Sequence, residues 1–150
     1  DHEVVHYGFE PFTMTWESRL FGGNGSERGD IAATNFYGTK GTFHLGYRGG
    51  WTFYPTNGTP ITEKAILNQP DGQNIKEHWA DFLAAIDTGR RPVSDIEDAH
   101  HATNCSLLGV ISLRLGRSLT WDGAKERFVG DPAADALLRR EYRKGWVYPG

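Results

Sequence analysis

SDIEDAHHATNCSLLGVISLRLGR, residues Ser94 to Arg117, carries the decision about the fold. Ser94 and Glu97 stand in the S-x-x-E spacing of a capping box, in which each side chain satisfies the other residue's backbone amide. Pro92 keeps the incoming chain extended. Gly116 is a stop signal, with Arg114 and Arg117 at the negative end of the helix dipole. The spacing predicts one long helix with two characters. From Leu107 to Leu113 it is apolar almost all round, which predicts a shaft covered on more than one side. From Asp95 to Asn104 it is polar and holds His100 and His101. Two readings stay open: a core helix whose wet end caps itself, or a helix whose tip faces a site.

Outward from that helix, the pattern changes period. Ile75, Trp79, Phe82, Leu83 and Ile86 follow helical spacing and predict an amphipathic helix that ends at Gly89. His78 lies off that stripe and is expected in solvent. Everything before it reads as strands. Glu3 to Phe9 is one. Phe12 to Arg19 is the next, with Phe12, Met14 and Trp16 on one face and Thr13, Thr15, Glu17 and Arg19 on the other. Ile31–Tyr37 and Thr42–Tyr47 make a hairpin around Gly38-Thr39-Lys40-Gly41, and Trp51–Tyr54 and Pro60–Leu67 add two more strands. Phe21–Asp30 is a glycine-rich surface loop, and Asn68–Gln73 resembles a linker. After the long helix, Ser118–Asp122 and Arg127–Val129 form short strands around an Asp122-Gly123 turn. Asp131-Pro132 opens a last helix to about Arg140, and Trp146 and Tyr148 are expected to pack down.

Strands first and helices second give an α+β class: an open, mostly antiparallel sheet with helices packed on one face. At 150 residues the expectation is one domain, residues 1–150. The opening DHEVVHYGFE starts inside a strand and reads as a piece of a longer protein. A net charge of −3 gives no reason to expect nucleic acid or an anionic membrane as partner. The single Cys105 rules out an internal disulfide and reads as an inert core thiol.

The chemistry-bearing motifs are few. Six histidines occur with a single cysteine, and His100 and His101 point about 100° apart on a helix, so no metal site is expected. G-x-S-x-G is missing, which sets acyl transfer aside. The glycine-rich loop has neither a phosphate-loop pattern nor G-x-G-x-x-G.

Several motifs in order go beyond these generic features. They are F-L-x-x-I…P from Phe82 to Pro92, D-I-E-D-A-H from Asp95 to His100, and L-R-L-G-R-x-L-x-W-D from Leu113 to Asp122. F-x-G-D-x-x-A from Phe128 to Ala134 and Y-R-x-x-W from Tyr142 to Trp146 follow. Thr13 to Glu17 and Phe36 to Thr42 extend the likeness to the strands. The chain resembles the C-terminal part of the bacterial Gfo/Idh/MocA-type oxidoreductases, relatives of glucose–fructose oxidoreductase and inositol dehydrogenase.

The resemblance implies a dihydrodipicolinate-reductase-like C-terminal domain that binds a small sugar-like substrate and makes a homo-oligomer through its sheet face. The family's Rossmann domain holds NAD(P) and supplies an E-K-P lysine, and a D-x-x-x-H pair acts in catalysis. None of these motifs occurs here, so no catalytic, cofactor-binding or metal residue is assigned, and NAD(P) is expected only for the full-length relative. By resemblance, His100 sits beside the substrate cleft, with His101 and Glu97 as further candidates. Thr13, Thr15, Glu17 and Arg19 are the candidates for the oligomer contact. The rival expectation is a free-standing binding module using Trp16, Trp51 and Tyr54 against a carbohydrate or a protein. The expected compartment is the cytoplasm, with the periplasm as the alternative.

Overall fold

Alternation along the first strands becomes a two-stranded antiparallel ribbon, β1 (His2–Gly8) with β2 (Thr13–Arg19). Register pairs Val5 with Trp16 and Tyr7 with Met14 on one face, and His6 with Thr15 and Val4 with Glu17 on the other. Phe9 and Phe12 stack at 4.6 Å just beyond its end. The structure, a computed structural model, describes residues 2–20, 25, 27–47, 49–65 and 75–147. The expectations for Asn68–Gln73, Leu67, Tyr148 and most of the Phe21–Ser26 stretch lie outside those residues.

A four-stranded antiparallel sheet follows, ordered β3 (Ala33–Gly38), β4 (Gly41–Gly46), β5 (Gly50–Pro55) and β6 (Ile61–Glu63). The β3–β4 turn needs glycine at position 41. Its φ is +149°, and a Cβ there would meet the Tyr54 carbonyl oxygen at 2.2 Å. Register sorts the sheet into two faces. Phe36, Phe43, Leu45, Trp51, Phe53 and Ile61 share one; Asn35, Tyr37, His44, Thr52, Tyr54 and Thr62 share the other. A 3-10 turn, Glu27–Gly29, and Asp30 supply partners to the polar face. Asp30 meets His44, Glu27 accepts from Tyr37, and the Arg28 guanidinium stacks 3.9 Å over Tyr54.

The first helix, α1 (Ile75–Thr88), ends where Gly89 takes a positive φ of 68°, as the sequence predicts. Beyond it, Asp81 accepts from the Val93 amide at 2.7 Å and from Arg90 at 2.6 Å. Those bonds, the amide first, hold the Asp81 carboxyl below the usual carboxylate range. The apolar stripe is present but not buried: Trp79 is 58% exposed, and Ile75, Phe82, Leu83 and Ile86 are exposed with it. A stripe is buried only against a complementary surface, and the described residues bring none to it.

The chain divides into two units, Asp1–Val93 and Ser94–Gly150. The second is built on α2 (Ile96–Leu115). Its N-cap is Asp95, whose carboxylate accepts from the Glu97 amide at 2.9 Å; the cap is one residue later than the predicted Ser94. Both residues suit the position, and the extended Asp95 backbone fills it. Gly116 ends the helix in the left-handed conformation at φ 64°, and the amides of Gly116 and Arg117 return to the carbonyls of Leu113 and Ser112. The shaft is covered on one side only. Gly109 and Ile111 are buried, whereas Leu107 and Leu113 are exposed.

The buried side of α2 meets a hairpin of β7 (Trp121–Asp122) and β8 (Arg127–Phe128), and α3 (Pro132–Asp135). Ile111, Phe128 (3% exposed) and Ala134 form the core, with Leu108, Leu115, Leu119 and Trp121 around it. Arg117 bridges both oxygens of Asp131 while Asp131 also caps the Ala134 amide. Those bonds, the amide first, hold the Asp131 carboxyl below its ordinary range. Helix α3 is one turn, continued as a 3-10 turn over Ala136–Leu138, and stops short of the predicted Arg140. Trp146 is exposed, contrary to the expectation that it packs down.

The architecture is α+β, with antiparallel strands and three α-helices among the described residues. The described strands fall into three sheets, of two, four and two strands, rather than one. None of the described helices is long and apolar enough to cross a membrane.

Candidate functional site

The polar tip of α2 is where side chains from distant positions converge. His100 and Asn104 are one turn apart on the helix, and Asn104 Nδ2 stands 3.1 Å from His100 Nε2. Glu126, twenty-six residues on, brings Oε1 to 2.5 Å from the same nitrogen. One nitrogen cannot give its proton to Glu126 and accept another from Asn104, so one of the two bonds excludes the other. Both partners of the His100–Glu126 contact are half exposed, at 48% and 50% of their side chains.

The hairpin turn puts Glu126 there. Asp122 Oδ1 accepts from the amides of Ala124 and Lys125, both at 3.1 Å, and Oδ2 from the Lys125 ammonium at 2.9 Å. Lys125, by its side chain and then its amide, holds the Asp122 carboxyl below the usual range. The turn closes with Glu126 at φ 48°. Below it, the Trp121 ring meets Phe128 edge-on at 5.1 Å, and the Phe128 amide donates to Asp135 at 2.7 Å. The buried core therefore fixes the hairpin, and the hairpin aims the carboxylate.

His101 stays outside this cluster. Its ring lies 5.9 Å from that of His100, and its carbonyl accepts from the Cys105 thiol. Cys105 is half buried on the helix. Glu97 shares the tip and is exposed. The four residues expected at the oligomer contact do share one face of the β1–β2 ribbon. There Glu17 pairs with His2 at 3.0 Å and Arg19 at 3.4 Å, and Thr15 with His6 at 3.1 Å.

A second cluster was not legible as a site. His44, 6% exposed, has Asp30 Oδ2 2.8 Å from Nε2 and Asn35 Oδ1 2.8 Å from Nδ1. With both nitrogens engaged and little surface open, it holds the Asp30 end of the loop to the sheet and offers nothing to a ligand. The Tyr37 hydroxyl, donating to Glu27, is held above its ordinary range by that bond and by burial. The aromatics of the rival reading do not form one platform. Trp51 and Tyr54 lie on opposite faces of β5, and Arg28 already covers Tyr54. On the apolar face, an open hollow of about 340 Å³ lies over Phe36, Phe43 and Phe53, with Lys40 at its rim.

Among the described residues no three His, Cys, Asp or Glu side chains form a group that can hold a metal ion. A dinucleotide pyrophosphate is cradled where a parallel strand runs through a glycine turn into a helix. Every described strand pairing is antiparallel, and Glu27–Gly29 is a single 3-10 turn. The described residues therefore do not fit that group.

Neither the curated proteins nor the solved structures gave a match to the chain. The family model described as "Oxidoreductase family, C-terminal alpha/beta domain" matches residues 25–148, which takes in the whole of the α2 tip, the β7–β8 hairpin and the four-stranded sheet. The chain thus belongs to the Gfo/Idh/MocA oxidoreductase family and carries its C-terminal alpha/beta domain.

Proposed function

We propose that this domain supplies the substrate-side surface of a sugar or polyol oxidoreductase and one of its subunit contacts, while NAD(P) binding and hydride transfer belong to a Rossmann domain elsewhere in the protein. The observation that carries the reading is His100. It stands half exposed at the tip of α2, held by a carboxylate from another element, at the D-x-E-x-x-H position whose resemblance to the family suggests the substrate side. A neutral imidazole whose N–H is spent on Glu126 still accepts one hydrogen bond at its other nitrogen, which suits a hydroxyl of a polyol.

Self-association through a sheet face is the second part of the proposal. Phe36, Leu45 and Ile61 leave an exposed apolar face on β3–β6, and contiguous apolar surface of this kind marks an interaction site. Thr13, Thr15, Glu17 and Arg19 offer a polar face on the ribbon. Sedimentation velocity of the chain, of Phe36→Glu and of Arg19→Glu separates the two: the variant that falls to monomer marks the contact. A chain that is monomeric throughout removes the assembly role.

For the substrate role, nicotinamide fluorescence titration of the chain is expected to show no tight NAD(H) site. Tight binding would sink the division of labour. In the whole enzyme, His100→Ala is expected to raise KM for the polyol about tenfold or more, on the scale of one lost hydrogen bond.

A further inference from the structure

We infer that Glu126 is the positioning residue of His100, fixing which ring nitrogen faces a ligand. The inference deepens the substrate-side reading and rests on it for its purpose, though not for its geometry. A carboxylate accepts hydrogen bonds and does not donate them, so the proton in the 2.5 Å contact sits on His100 Nε2. The charged acceptor makes the stronger bond than the Asn104 amide at 3.1 Å. In its neutral form the ring then carries its lone pair on Nδ1. That atom has no hydrogen-bond partner among the described residues, and the side chain is half open to solvent. His100 is therefore presented as an acceptor for a ligand hydroxyl.

The backbone gives an independent reason to assign Glu126 this role. Only Arg28 and Glu126 among the described non-glycine residues have positive φ. A glutamate gains nothing locally from the left-handed region, where glycine or asparagine is at ease. Strain of this kind, kept at a position whose side chain reaches a polar tip, points to a role for the side chain. Asp122 and Lys125 hold the turn in shape, and buried Phe128 anchors the strand behind it. His101, next in sequence, lacks any such support and is not part of the device.

The test is the ¹⁵N spectrum of histidine-labelled full chain at pH 8, with the His100 signals assigned by His100→Gln. In the unaltered protein Nδ1 is expected at the unprotonated position and Nε2 at the protonated one. Glu126→Gly removes the carboxylate and relieves the backbone, so the two signals are expected to move toward each other as tautomers mix. Its thermal midpoint is expected to stay equal or rise. Glu126→Gln keeps an oxygen acceptor and is expected to restore most of the single-tautomer pattern. His100 signals identical in Glu126→Gly and the unaltered chain overturn the proposal, as does mixing already present without substitution. A myo-inositol titration reads the other question separately. If tautomer fixing behaves as expected but the polyol leaves the His100 signals unmoved, the positioning stands and the substrate-side reading falls.

Discussion

His44 and His100 each meet one carboxylate and one side-chain amide, Asp30 and Asn35 for the first and Glu126 and Asn104 for the second, yet their surroundings give them opposite work. His44 is buried on the polar face of β4, and both ring nitrogens are spent on Asp30 and Asn35. His100 stands at the open tip of α2, with Glu126 and Asn104 at one nitrogen and no hydrogen-bond partner at the other among the described residues. A histidine with two protein partners is a fastener; one with a single fixed side is an instrument. The regions differ in the same way. The region around His44 is held locally, by a turn folded back on its own sheet. The region around His100 depends on a hairpin that a buried aromatic keeps in place.

The largest expected effect cuts that dependence. Phe128→Ala removes the most buried large side chain of the Ile111–Phe128–Ala134 core and is expected to cost about 3–5 kcal/mol. That is a large share of the stability of a small unit. Chemical denaturation monitored by Trp121 fluorescence checks it, and a loss under 1 kcal/mol would mean that the hairpin is held by something else. His44→Ala comes next. It strands Asp30 and Asn35 without their partner, at an expected cost of about 1–3 kcal/mol. Gly46→Ala tests the same fastener from the other side, because its Cβ would stand 2.6 Å from Asp30 Oδ2. If both leave the thermal midpoint unchanged, the fastener reading of His44 fails.

How much of this was legible follows from what each feature depends on. Period decides the strands and helices, and period is in the sequence. The faces of β2, the start of α1 and the stops at Gly89 and Gly116 therefore came through. The cap of α2 slipped by one residue because Ser94 and Asp95 both suit an N-cap and only the backbone conformation separates them. Burial was read less well. The α2 shaft was expected to be covered on more than one side, but a pattern states which face is apolar, not whether a partner reaches it. At the α2 tip, His100 was singled out through the resemblance, and Asn104 is visible as i+4. Glu126 could not be read from spacing. It lies twenty-six residues from His100 and arrives only because the turn adopts a positive φ. His44 was hidden in the same way, since its partner Asp30 ends a loop whose path no local pattern fixes.

Smaller effects sharpen the picture. Asp95→Ala is expected to cost about 1 kcal/mol by removing the cap of α2, whereas Ser94→Ala should be close to neutral. The reverse order would restore the predicted capping box. The Asp131 clamp predicts a pH dependence. Its folded carboxyl lies below the ordinary 3.8, so its contribution is fully present above pH 3.8 and is lost as pH falls through the lowered folded value. Asp131→Asn should therefore flatten the acid limb of a stability–pH curve below about pH 4 and leave its shape at neutral pH unchanged. An acid limb as steep as that of the unaltered chain would remove Asp131 from the account.

The smallest expected effect on stability is the one that bears most on function. His100→Ala removes a half-exposed side chain whose contact with Glu126 is an exposed pair. Such pairs contribute little, and the thermal midpoint should shift by less than is produced by about 0.5 kcal/mol. Set beside His44→Ala, this gives the comparison its numbers: a several-fold larger loss at the buried histidine, and a loss of ligand recognition confined to the exposed one. If instead His100→Ala destabilises as much as His44→Ala, then the α2 tip is fastened rather than poised. The polar end of the helix would then be its own cap, and the site would have to be sought on the sheet.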